Sequence, residues 1–228
     1  MTTVVDDKCA IINCCRESWP IFAKFQEDQD LKDPKWERKY KGKLVVMWDD
    51  TNISFSHQPG GAWEQRVTYN SYYGENCAKG VIFLQLCGWM GVAELWVGAI
   101  SDSDYQEKCG ILEMQQKFAE MDLVAGLVIA FLLIVDKGYR IIQAAWRAGR
   151  QEVVQPTFAR SDEMFTDMET LISGSVAVDR SGNERAVRLV KLSGFLRRGL
   201  HQKGSPTRLN DMWLAWAFQC NFMFKAVH

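Results

Sequence analysis

The segment 123–135, LVAGLVIAFLLIV, constrains the fold most: 13 apolar residues in a row that stop on an acid, Asp136. A bilayer-spanning helix needs about 20 such residues, so the run is too short to cross a membrane. Its later part, Ile129 to Val135, has the length of a central strand, because a strand covered on both faces reads as a continuous apolar run. A shorter run, Leu44 to Trp48, ends in the same way on Asp49. Both acids stand where a core strand gives way to a turn. If the two strands are neighbours, their carboxylates converge at one edge of the sheet.

At 228 residues the chain suits one domain with a full core, or one domain plus a short extension. Its 47% hydrophobic and 24% charged residues are ordinary for a soluble globular protein. The N-terminus, MTTVVDDKCAIINCC, has acids where a signal peptide carries positive charge, which predicts an intracellular chain. Seven cysteines without an even framework fit a reducing compartment. Cys9, Cys14 and Cys15 lie close together, but no CxxC or paired histidine completes a zinc pattern.

Residues 1–40 read as an irregular N-terminal extension, and a single α/β domain is expected over 41–228. Within it, 43–58 reads as a strand or hairpin, and Gln65–Tyr73, Gly80–Gln85 and 91–101 as an antiparallel meander. A helix is expected within 102–122, a strand over Ile129–Val135, a helix over 139–150, and a short strand stopped by Pro156. Two helices, 183–200 and 209–227, close the chain around one mixed sheet.

Net charge is −1, yet Arg180 to Arg208 is +7 and the remainder about −8. Such a patch attracts phosphate backbones, though a solvated helix face is the common fate of a charge run, and composition leaves both readings open. The patch begins beside Glu184, read as lying in the first turn of a helix behind an Asn183 N-cap. Clustered carboxylates repel one another, and a divalent cation compensates. The plainer reading of each acid alone is a turn residue or a helix-dipole partner.

The series 48-WDDT-51, 69-YNSYYGENCAKG-80, 98-GAISDSDY-105, 135-VDKGYR-140 and 180-RSGNERAVRLVK-191 resembles the catalytic domain of DDE transposases, in particular the PIF/Harbinger-like branch related to insertion-sequence five. The resemblance spans residues 43–228 in order. It implies an RNase H-like mixed sheet with flanking helices, and Asp49, Asp136 and Glu184 as catalytic, metal-binding residues; the 47 residues between the last two suit that branch. The implied cofactor is Mg²⁺ or Mn²⁺, two ions about 4 Å apart, for hydrolysis of DNA phosphodiesters and strand transfer. Arg185, Arg188, Lys191, Arg197, Arg198 and Lys203 are the implied DNA contacts, with Lys137 and Arg140 near the acids.

The family has Gly after its first Asp where this chain has Asp50, so either acid could be the first ligand; Asp49 is preferred because Thr51 then keeps the family's offset. Asp102 matches a family acid outside the triad and is read as a helix N-cap. The first 40 residues are too short for the family's helix-turn-helix domain, which implies a truncated or domesticated copy, or a separate DNA-recognition protein. Other implied partners are DNA and a second copy of the chain, with no membrane; the compartment is the nucleus in a eukaryote and otherwise the cytoplasm. A catalytically silent DNA-binding or assembly module on the same fold is the alternative, and an RNase H-type nuclease acting on RNA–DNA hybrids a third.

Overall fold

The computed structural model describes residues 38–40, 43–55, 61–85, 88–110, 112, 131–136, 139, 142, 145, 152–157, 164–197 and 206–223. The extension before residue 38, the greater part of the expected helices at 111–122 and 139–150, and Lys137, Gly138, Arg140, Arg198, Lys203 and the three N-terminal cysteines lie outside them.

The sheet is mixed. Strand β1 (Leu44–Ser54) is followed by helix α1 (Ala62–Thr68), β2 (Tyr69–Asn70), β3 (Glu75–Gln85), β4 (Met90–Val92), β5 (Trp96–Val97) and helix α2 (Asp102–Lys108). Then come β6 (Phe131–Ile134), β7 (Glu152–Val154) and helices α3 (Asp167–Lys191), α4 (Gly194–Arg197) and α5 (Pro206–Met223). The strand order is β2-β3-β1-β6-β7, with β4 and β5 also paired to β3. β1 and β3 are antiparallel, whereas β1–β6 and β6–β7 are parallel. The apolar run therefore supplies a buried strand beside β1, as its composition predicts.

Alternation along the strands divides the core into two layers. Val46 and Trp48 pack with Val81, Phe83, Leu133, Val135 and Tyr105. Val45, Met47 and Ile53 pack with Ile82, Leu132 and Ile134 beneath α3 and α5, which contribute Val176, Ala186, Val190, Leu209 and Trp213. Helix α5 also covers a strand edge that would otherwise present bare backbone groups. The Asn221 amide accepts from Met90 N at 2.7 Å and donates to Met90 O at 2.9 Å, and Asn210 Oδ1 accepts from Leu95 N at 2.8 Å.

Three expectations are corrected. Gln65–Tyr73 is not a strand: AWEQRVT forms α1, rich in good helix formers, and only Tyr69–Asn70 pairs with β3. The long helix does not start at Asn183. It starts at Asp167, where Thr166 and Glu169 form a reciprocal capping box, so Asn183 is a buried interior residue and not a cap. Nor does Asp102 cap α2; Ser101 does, accepting from Asp104 N at 3.1 Å. Of the N-terminal extension, Lys39 and Tyr40 belong to the fold, since both hydrogen-bond the buried Asp179 carboxylate on α3. No helix among the described residues is long and apolar enough to cross a membrane.

Candidate functional site

The parallel register places the two strand-end acids together. Met47 is opposite Ile134, so two residues further on Asp49 and Asp136 stand at the same level of adjacent strands. Alternation puts both on the side of the sheet that α3 covers. Asp50 faces the other way, where its Oδ1 accepts from Gln106 Nε2 of α2 at 2.8 Å. Burial pushes the Asp50 carboxyl well above the usual carboxylate range. Of the two candidate first ligands, Asp49 is thus the one that shares a face with Asp136.

Helix α3 brings the remaining groups. Arg180, Glu184 and Lys191, at i, i+4 and i+11, lie along one side of it, with Arg188 a further i+4 step from Glu184; Arg180 and Lys191 are half-buried, whereas Glu184 and Arg188 are exposed. Arg180 bridges the aspartates: Nη1 lies 2.9 Å from Asp136 Oδ1 and Nη2 3.8 Å from Asp49 Oδ1. Its side chain is 14% exposed, against 21% for Asp49 and 48% for Asp136. Burial raises the Asp49 carboxyl to about 6; Arg180 opposes the rise, and the Asp136 and Glu184 carboxylates add to it. Asp136 and Glu184 therefore both act electrostatically on Asp49. Lys191 is drawn below the usual lysine range by burial, while Asp49 and Glu75 hold it up. Of the other expected DNA contacts, Arg185 and Arg188 are exposed on α3; Arg197 ends α4, and its side chain lies outside the described residues.

Asp49 and Asp136 open onto a cleft of about 910 Å³ also lined by Asp50, Asp102, Lys79, Tyr69, Tyr72 and Tyr73. Tyr72 and Tyr73 are exposed and meet edge to face with ring centroids 4.9 Å apart. Lys79 Nζ is buried and pairs with Asp102 at 2.5 Å while donating to Ile100 O at 2.7 Å. Asp102 thus braces β3 against the start of α2. The tyrosines and Lys79 were not singled out from sequence; the aromatic cluster YNSYY was the available signal.

Asp49 and Asp136 suit a hard divalent cation in chemistry and share a face, whereas Glu184, the third expected donor, is exposed on α3 and does not line the cleft. No three His, Cys, Asp or Glu side chains among the described residues are grouped so as to hold an ion, and Arg180 lies between the two aspartates. Comparison with models of protein families, with curated proteins and with solved structures finds no match for this chain.

Proposed function

We propose that the protein is a metal-dependent DNA endonuclease derived from a DDE transposase of the PIF/Harbinger-like type, on an RNase H-like sheet, acting in the nucleus if the host is eukaryotic. The observation that carries the reading is the shared level and shared face of Asp49 and Asp136 at the ends of adjacent parallel strands. The order of the elements supports it too: an antiparallel first half, a parallel pair ending in acids, then a long helix bearing Glu184 over the same face.

Asp49, Asp136 and Glu184 would hold Mg²⁺ or Mn²⁺. When bound, two such ions supply an activated water, or a DNA 3′-hydroxyl, and stabilise the leaving oxygen in an in-line displacement. The rigid strand ends fix the two aspartates, so little conformational freedom is lost when ligand binds. Lys191, at the end of the same helix, offers a cation to a phosphate beside the acids. Arg185 and Arg188 extend the positive surface along α3 and contact backbone rather than bases.

Nicking of supercoiled DNA in Mg²⁺ tests the reading, with DNA carrying the element's terminal repeats as the preferred substrate. Asp136→Asn should lower the rate at least ~100-fold while leaving the circular dichroism spectrum unchanged, as expected for a group whose role is in the reaction. Undiminished cleavage by that variant would sink the proposal. The silent-module alternative draws on one observation, the guanidinium seated between the aspartates; it predicts duplex binding with no cleavage in either form.

A further inference from the structure

Arg180 was expected as the first charge of a phosphate-binding run and as part of the helix stretch that carries the family resemblance, yet it points into the acid cluster. Its position carries three independent observations. The guanidinium spans both strand-end aspartates, at 2.9 Å and 3.8 Å. It is nearly buried, and its Nε has no hydrogen-bond partner among the described residues. It is also anchored from a rigid place, since the preceding residue, Asp179, is gripped by Lys39 and Tyr40. A guanidinium has five donors in a planar fork and stays charged at any pH the protein meets. A structural ion pair at such depth is stable when those donors are satisfied; here one closes on Asp136 at 2.9 Å and the Nε donor is left over.

We infer that Arg180 is a built-in counter-cation for the acid site: it neutralises Asp49 and Asp136 while no metal is bound, and gives way to a divalent ion. This rests on the metal-dependent reading above. Both cations draw on the same two carboxylates, so each weakens the other's hold by the same factor. Arg180 would then swing about its own stem, one helical turn from Glu184, and place its fork where an incoming phosphate could be gripped by two N–H groups. The device spares the empty site the repulsion of two close carboxylates, and it sets the metal concentration at which the site fills.

Titration of the full chain with Mn²⁺, followed by calorimetry and by the loss of the free-ion electron paramagnetic resonance signal, tests this without reference to cleavage. Arg180→Gln should bind Mn²⁺ at least ~5-fold more tightly than wild type, the low end of ordinary coupling between sites. Its melting temperature without metal should fall, and saturating Mn²⁺ should restore it. Lys108→Gln, which removes an equal charge from the exposed end of α2, controls for a general electrostatic effect and should change Mn²⁺ affinity less than 2-fold. Arg180→Lys, which keeps the charge and loses the fork, should fall between wild type and Arg180→Gln; it carries the test if the glutamine variant fails to fold. Equal Mn²⁺ affinity in wild type and the Arg180 variants would overturn the counter-cation role and leave the metal reading standing. No Mn²⁺ binding by any form would overturn both.

Discussion

At Asp49, burial and two neighbouring carboxylates outweigh the attraction of Arg180, and the folded carboxyl titrates at about 6 against an ordinary 3.8. The folded state therefore holds a proton that the unfolded chain has released between those values. Stability from this group is present below about pH 4, declines as pH rises through 6, and above that the ionised form is a net cost. The difference of about two pK units corresponds to about 2–3 kcal/mol. Asp49→Asn removes it. Urea unfolding of the metal-free protein should find the variant more stable than wild type at pH 8, with the gain shrinking through pH 6 and absent near pH 4. A gain independent of pH would place the carboxylate's cost somewhere other than its charge.

On the proposed reading, helix α3 is the element on which acid site and DNA surface meet: Arg180 and Lys191 are half-buried beside the strand-end acids, while Glu184, Arg185 and Arg188 are exposed. Replacing Arg185 and Arg188 by Gln should weaken binding to all duplexes about equally. The slope of log affinity against log salt should flatten by about 1.8, the value for two phosphate contacts. Fluorescence anisotropy across a salt series measures both, and an unchanged slope would return these arginines to the solvated face of a helix. The origin of α3 was harder to read from sequence than its middle. Asn183 resembles a cap, but the reciprocal pair Thr166 and Glu169 lies in a stretch with no strong apolar period, and most side chains of the first turns are exposed. The strand-end acids were legible because a continuous apolar run halting on a carboxylate marks the point where a core strand meets solvent. The choice between Asp49 and Asp50 was not, since period-2 alternation separates two faces without saying which one a helix will cover. The direction of Arg180 was invisible for a related reason: a sequence gives the charge of a side chain and not the residues it meets.

The sheet and helix α5 meet closely at Gly80, midway along β3. A Cβ there would lie 2.8 Å from Leu95 Cδ2 and 2.8 Å from Trp213 Cζ2. Trp213 cannot readily yield, because it is fully buried and its Nε1 donates to Ala93 O at 2.8 Å. Gly80→Ala should cost about 1–3 kcal/mol in chemical denaturation, the range for forcing extra volume into a packed core. A neutral result would mean that α5 docks more loosely than the contact distances state. The order of strands across the sheet also has a consequence in time. Asp49 precedes Asp136 by 87 residues and Glu184 by 135. At a synthesis rate of about 5–20 residues per second, roughly 7–27 s separate the first acid from the last as they leave the ribosome. During that interval β1 can pair with β3, but its other edge stays open until β6 arrives. On the proposed reading, a chain released before residue 184 is harmless to DNA, and one released before residue 131 is also sticky, with the β1 edge bare for other chains to join. The capacity to cut would be the last property the growing polypeptide acquires.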